Sequence, residues 1–237
     1  MQPSIYRNPS IDILGLRVDE PITMLTDVLV TVVCWYAFYK LGKMKDPMNG
    51  GPTGASRASI LRLVRGYFLT MGMATLLGGV IGHSFNYALS IYWKIPGWYV
   101  SMFSVALLER ASIFHAFPLI RPSLARFFAV VNIVELLFFL VISVATMNFY
   151  FVMGHAAYGI LIVTGGFQGY VFYRTRHEGS RLFLMGIIMS TIGALFFVMQ
   201  WAPSIWFNHM DIAHVMMAVA CWYFYLGGKK IVEKPIG

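Results

Sequence analysis

Seven long apolar runs, separated by short segments that hold most of the charges, dominate this sequence of 237 residues. A helix needs about 20 apolar residues to cross a bilayer, and the runs approach that length. Only 12% of the residues are charged, about half of the share in soluble domains. The pattern predicts an all-α polytopic membrane protein and excludes a soluble domain, a disordered chain and a coiled coil. We expect one domain over residues 1–237, a seven-transmembrane helix bundle with spans at residues 21–39, 67–87, 98–117, 127–146, 150–173, 182–201 and 211–227.

The basic residues predict how these spans are oriented. Fourteen of the 18 lysines and arginines follow the first, third, fifth and seventh spans, and only three lie on the other side of the membrane. Cytoplasmic loops have such an excess, so we expect the N-terminus outside and the C-terminus in the cytoplasm. The loops account for the net charge of +8, which therefore does not indicate a nucleic-acid partner. Short loops and the lack of a transit peptide favour the bacterial inner membrane.

Ionisable side chains inside the apolar runs are the candidates for a functional site, because such groups are costly in a bilayer. With a rise of about 1.5 Å per residue, Asp27, His83, His155 and His214 all lie roughly 6 to 9 Å below the outer surface. Imidazoles and a carboxylate at one depth are typical of a catalytic zinc, which has three protein ligands and one water. The sequence predicts that His83, His214 and Asp27 bind the metal and that His155 is a further ligand for it.

The beginning of the seventh span and the middle of the third span add further candidates. Asp211 lies three residues before His214, on the same face of a helix, and is the candidate general base. His209 points about 140° away from His214 and is a metal ligand if the helix begins irregularly. Near mid-membrane, Glu109 is a second candidate catalytic carboxylate, and we expect it to form an ion pair with Arg110.

Glycines come shortly before His83 in the second span. Gly78 and Gly82 form a small-xxx-small pair, which lets a neighbouring helix approach closely. We therefore expect this end of the second span to contact the first, third or seventh span. Cys34 and Cys221 lie inside apolar runs, and we expect them to be buried thiols rather than a disulfide.

A histidine near the end of span two and a histidine pair at the start of span seven resemble the superfamily of alkaline ceramidases and progestin/adipoQ receptors. The pattern of that superfamily has Ser-xxx-His ending span two, an Asp early in span three and His-xxx-His opening span seven. Here His83 matches the first histidine and His214 the last, whereas Gly79 stands at the serine position. The first acid of span three is Glu109, and the seventh-span pair is His209-x4-His214. The resemblance implies a membrane-embedded zinc hydrolase that acts on a lipid amide or ester.

Two alternatives stay open. The segment from Gly154 to Gly159, with the later Gln168, resembles helices of the cytochrome b561 type. In that interpretation His83, His155 and His214 supply two axial ligands of a single haem b. The other alternative is a lipid-sensing receptor or a subunit of a membrane complex, in which the polar residues form a structural network. A membrane lipid is thus the predicted substrate or ligand, and the sequence does not set the oligomeric state.

Overall fold

The fold is a bundle of helices, described by a computed structural model over residues 9–44 and 51–236, with the backbone alone at residues 51–56. In this part of the chain seven helices are long and apolar enough to cross a membrane. The predicted class, an all-α integral membrane protein, is thereby confirmed. The spans are Pro21–Gly42, Arg57–Ser84, Ile91–Leu119, Pro122–Thr146, Phe149–Thr175, Glu178–Met199 and His209–Glu233.

Three of the spans are not continuous α-helix. Two of them contain a π-helical segment, in which hydrogen bonds skip one residue more than in an α-helix, so that the side chains change direction. Such segments occur frequently at functional sites. The second span is α-helical over Gly51–Leu77 and π-helical over Gly78–Ser84. The fifth span is α-helical over Phe149–Ala157, π-helical over Tyr158–Thr164 and α-helical again over Gly165–Thr175. The third span, described over its full length, has no π-helical segment. It is α-helical over Ile95–Ala116, between 3-10 turns at Ile91–Lys94 and Phe117–Leu119.

The second and seventh helices extend beyond their predicted ends. The second helix already begins at Gly51, and the seventh continues to Glu233. Both extensions contain basic residues, whose long side chains reach water from a helix end. Arg57 joins the two helices by donating from Nε to the carbonyl oxygen of Val232 at 3.1 Å. A cation next to the carbonyls at a helix C-terminus is stabilising, which accounts for the added turns of the seventh helix.

Neighbouring spans in the sequence are also neighbours in the bundle, and the seventh span packs against both the sixth and the first. The third span is central in the bundle, because 61% of its apolar 18-residue stretch is buried. The fourth span is peripheral, because only 11% of the corresponding stretch is buried. The fourth span is also the most apolar, with a mean hydropathy of 2.6. Large apolar side chains on such an outer helix are suited to contact with lipid acyl chains. The fifth span packs against the third and fourth spans, on a different side of the bundle from the first and second.

A β-hairpin, which was not predicted, precedes the first span. Strands β1 (Ser10–Ile13) and β2 (Leu16–Asp19) pair antiparallel through a two-residue turn. Gly15 in this turn has a φ of +83°, as the tight turns of hairpins require. The hydroxyl of Tyr87 donates to the carbonyl oxygen of Arg17 at 2.9 Å, and this contact holds the hairpin against the chain that follows the second span. We call this end of the bundle the hairpin end.

Candidate metal centre

Asp27, His83 and His214 converge from the first, second and seventh spans near the hairpin end. Asp27 Oδ1 lies 3.5 Å from His214 Nε2, and Asp27 Oδ2 lies 3.8 Å from His83 Nε2. The two imidazole rings have centroids 6.0 Å apart and an interplanar angle of 72°. One donor atom of each residue lies within 4.8 Å of the other two. The structure therefore brings together three of the residues predicted as metal ligands, which we call the Asp27 cluster.

The spacing of these donor atoms suits a tetrahedral ion. Zinc binds imidazole nitrogen and carboxylate oxygen at about 2.0 to 2.2 Å, so two ligands of one tetrahedron are about 3.3 Å apart. The separations of 3.5 Å from Asp27 Oδ1 to His214 Nε2 and of 3.8 Å from Asp27 Oδ2 to His83 Nε2 are only slightly longer, each from a different oxygen of the carboxylate. Two imidazoles and one carboxylate are also the ligand set of several catalytic zinc enzymes, which leave the fourth position open. The Asp27 cluster thus has the donor set for three of the four ligands of such an ion.

The second nitrogen of each imidazole has its own partner. His83 Nδ1 lies 2.6 Å from Glu20 Oε2, and His214 Nδ1 lies 3.1 Å from Thr26 Oγ1. Metal-binding histidines almost always donate this second N–H to an acceptor, which fixes the tautomer and the ring orientation. With the proton on Nδ1 in both rings, each Nε2 presents its lone pair towards Asp27. These second contacts therefore prepare both imidazoles for a cation.

Sequence reasoning missed two residues of this site, Thr26 and Glu20, of which only Glu20 is charged. Its φ of +46° places it in the left-handed region, which is uncommon for a residue other than glycine. The backbone N–H of Glu20 donates to the carbonyl oxygen of Pro9 at 2.7 Å, and this hydrogen bond holds the strained conformation. Backbone strain of this kind clusters at functional sites. No helical spacing indicates its contact with His83, because Glu20 precedes the first helix and its backbone is left-handed.

Asp211, the predicted general base, contacts the site indirectly. Its carboxylate is fully buried, and Oδ2 accepts the backbone N–H of Asn208 at 2.6 Å, within a capping box that starts the seventh helix. Its Oδ1 lies 3.5 Å from the hydroxyl of Thr26. That hydroxyl donates its one proton either to the carbonyl oxygen of Thr23 at 2.9 Å or to Asp211 Oδ1, and in both cases its oxygen is free to accept the N–H of His214. Asp211 therefore reaches the imidazole through Thr26 and not at its donor atom.

Three other candidates lie outside the Asp27 cluster. His209 is the first residue of a regular, capped helix, and its ring packs 5.6 Å from that of Phe197. His155 and Glu109 belong to a second group with Glu135, in which one donor atom of each lies within 4.8 Å of the others. The predicted grouping of His155 with the other histidines used depth alone. A helix places a residue at a given depth on any side of a bundle, and the fifth span packs against the third and fourth.

Glycine allows the first and second spans to approach each other at the site. A Cβ atom at Gly79 would lie 2.9 Å from the Cβ of Asp27 and 3.3 Å from the carbonyl oxygen of Met24. A Cβ at Gly78 would lie 3.6 Å from Asp27 Oδ2, whereas one at Gly82 would meet nothing within 4 Å in the described part of the chain. The close contact predicted for the pair Gly78 and Gly82 is thus made at Gly78 and Gly79. Within this π-helical segment it is Gly79 rather than Gly82 that faces the first span.

Comparison with known proteins gives a family but no function. The family of unknown function DUF6962 matches residues 22–233, a range that includes Asp27, His83 and His214. None of the curated proteins and none of the solved structures with which the sequence was compared matches it. The resemblance to alkaline ceramidases is therefore a hypothesis that depends on the residues themselves.

Proposed function

We propose that this chain, which belongs to the DUF6962 family, is a membrane-embedded zinc hydrolase that acts on a lipid amide or ester. Asp27, His83 and His214 are the proposed zinc ligands. The observation that carries the proposal is the convergence of two imidazole Nε2 atoms on one buried carboxylate, at 3.5 and 3.8 Å. Each imidazole is in addition held at Nδ1 by a separate acceptor, as in protein metal sites.

The residues of the Asp27 cluster supply three ligands, and a hydrolytic site requires that number. A zinc with an open fourth position lowers the pKa of a bound water to about 7 and polarises a carbonyl group. The chain's own contribution is to orient the donors. Glu20 holds the ring of His83, and Thr26 holds the ring of His214. The general-base role predicted for Asp211 stays a prediction, since its contacts are those of a residue that positions His214.

The depth of the site supports a lipid as the substrate. Asp27 lies six residues after Pro21, where the first span begins, so it lies about 9 Å along the helix. We propose that the hairpin end faces the outside, because fourteen of the 18 basic residues follow the odd-numbered spans, as cytoplasmic loops do. The site then lies in the outer leaflet, near the boundary between headgroups and hydrocarbon. Amide and ester bonds of membrane lipids lie at this boundary. In a bacterium, the membrane that holds the protein would be the inner membrane.

The experiment that tests this function compares zinc-loaded and chelated full-length protein in detergent. Both forms are incubated with a ceramide and with a diacyl phospholipid, and the released fatty acid is measured by mass spectrometry. We expect release by the zinc-loaded form, loss of release after chelation and its return with added zinc. Zinc-loaded protein that releases no fatty acid from either lipid would show that the chain is not this hydrolase. Protein that binds no zinc would show that the Asp27 cluster is not a zinc centre.

Replacing Glu20 by glutamine should weaken zinc binding by about 10- to 100-fold, the usual effect of changing an outer-shell partner. Glutamine keeps the shape of the side chain but removes the negative charge next to His83 Nδ1. The zinc affinity is measured by competition with a chromophoric chelator. Glu178→Gln is the control, because that exposed carboxylate pairs with Lys230 at 3.3 Å, away from the site. Equal affinities in Glu20→Gln and the unmodified protein would contradict the role of Glu20.

A further inference from the structure

We propose that Glu109, Glu135 and His155 form a second binding site, for a divalent transition-metal ion. We call these residues, which lie on the third, fourth and fifth spans, the Glu109 cluster. One donor atom of each lies within 4.8 Å of the other two, and His155 Nε2 lies 3.5 Å from Glu135 Oε1. The Glu109 cluster shares no residue with the Asp27 cluster. The second site therefore does not depend on the proposed hydrolase function.

His155 is the first observation that indicates a ligand. Its side chain is completely buried, and neither ring nitrogen has a hydrogen-bond partner among the described residues. The ring of Phe139 packs on it, with centroids 5.5 Å apart, and offers no acceptor. A buried polar group without a partner is destabilising in an apolar environment. A cation bound at Nε2, between the imidazole and Glu135, supplies the missing interaction.

The two carboxyl groups give the second observation. Glu109 is fully buried, and with both carboxyl groups ionised its Oε1 has no hydrogen-bond donor in the described chain, nor has either oxygen of Glu135. The ion pair expected between Glu109 and Arg110 is absent from the described contacts. Arg110 instead donates to Asn132 Oδ1 at 3.1 Å and to the carbonyl oxygen of Ala129 at 2.6 Å. Two adjacent carboxylates in an apolar interior require a proton or a cation between them.

The surroundings hold Glu109 as a ligand is held. Asn132 Nδ2 donates to Glu109 Oε2 at 3.2 Å and to the carbonyl oxygen of Ala106 at 3.2 Å. Asn132 thus fixes Oε2 of Glu109, which leaves Oε1 for the cluster. Carboxylates that bind metals are held by hydrogen bonds in the same way. Gly159 leaves the space, because a Cβ there would overlap the carboxylate of Glu109. Gly159 belongs to the π-helical part of the fifth span, so each cluster has a π-helical segment beside it.

The donor set selects the class of ion. Calcium and magnesium take oxygen ligands, whereas an imidazole favours zinc, iron or another first-row transition metal. One imidazole and two carboxylates therefore fit a divalent transition-metal ion better than an alkaline-earth ion. A single proton shared by the carboxyl groups is the competing occupant. Because a proton shared by the carboxyl groups leaves His155 with only its 3.5 Å contact to Glu135, the buried imidazole favours the metal.

The test removes the Asp27 cluster first and asks what metal is left. Full-length protein with Asp27→Asn and His214→Ala is purified in detergent, loaded with zinc or manganese, desalted and measured by elemental analysis. We expect one divalent ion per chain in this background. Adding Glu135→Gln, which keeps the size of the side chain, should lower the affinity for this ion at least tenfold, and adding His155→Ala should remove it. Adding His209→Ala, a histidine outside both clusters, should leave it bound.

Two results would overturn the second site. One is a folded Asp27→Asn/His214→Ala protein, judged by helical circular dichroism, that retains no metal. The other is retained metal whose affinity does not change with Glu135→Gln. Infrared spectroscopy of the same metal-free background identifies the competing occupant. A protonated-carboxyl band that disappears in Glu109→Gln, in protein that takes up no metal, would assign the cluster to a shared proton.

Discussion

Replacing His214 by alanine should remove the zinc of the Asp27 cluster and lower lipid hydrolysis by more than about 100-fold, beyond the effect of outer-shell changes. Asp27→Asn should have the same effect, because the carboxylate faces both imidazoles at 3.5 and 3.8 Å. With one donor missing, two good ligands are left, either a carboxylate and an imidazole or two imidazoles, whereas catalytic zinc sites have three. The measurements are the zinc affinity and the rate of fatty-acid release from the lipid that the unmodified protein hydrolyses.

His209→Ala is the matched control for this prediction. It removes a histidine from the same helix, but one whose ring packs against Phe197. We expect its zinc affinity and its rate to equal those of the unmodified protein. If His214→Ala kept the zinc and the rate, the ligand assignment would be wrong. If His214→Ala lost the rate but kept the zinc, the site would be catalytic without His214 as a ligand.

Gly79→Ala should lower the free energy of unfolding by about 1–3 kcal/mol, the usual cost of overpacking, and should weaken zinc binding as well. The new methyl group would lie 2.9 Å from the Cβ of Asp27 and 3.3 Å from the carbonyl oxygen of Met24. Neither neighbour is the end of a flexible side chain, so the first and second spans must separate. Because Asp27 moves with the first span and His83 with the second, their donor atoms separate too.

Gly82→Ala is the same substitution in the same π-helical segment, at a position where the new methyl group meets nothing within 4 Å in the described chain. We expect it to be neutral or slightly stabilising, since alanine favours helix over glycine by about 1 kcal/mol. Thermal unfolding in detergent and zinc titration are measured for both variants. Equal behaviour of the two variants would show that the approach of the spans at Gly79 does not control the site.

The seven spans could be predicted because a bilayer sets a minimum apolar length, and the sequence shows that length seven times. The ends of the second and seventh helices could not be predicted in this way. A helix continues past its apolar run wherever contacts between basic side chains and backbone carbonyls stabilise it. Arg57 and Val232 show this. The hairpin was not predicted, because its two strands have only four residues each and are too short for a clear alternating pattern.

The site was predictable to the extent that depth determines contact. Asp27, His83 and His214 were grouped by depth, and they meet because the first span packs against both the second and the seventh. His155 was grouped with them by the same argument, but it faces Glu135 instead. Depth along a helix carries no information about direction around it. The π-helical segments add to this problem, because apolar periodicity is interpreted with an α-helical repeat.

The position of Glu20 joins the extramembrane hairpin to the chemistry of the bundle. Its carboxylate holds the ring of His83 at 2.6 Å, while its backbone follows directly on strand β2, whose Arg17 is anchored by Tyr87. The hairpin and the imidazole are therefore linked through a single carboxylate. A displacement of the hairpin would withdraw the acceptor from Nδ1 and free the ring to rotate. A molecule that binds the hairpin would thus change the geometry of the proposed zinc ligands without touching any of the three.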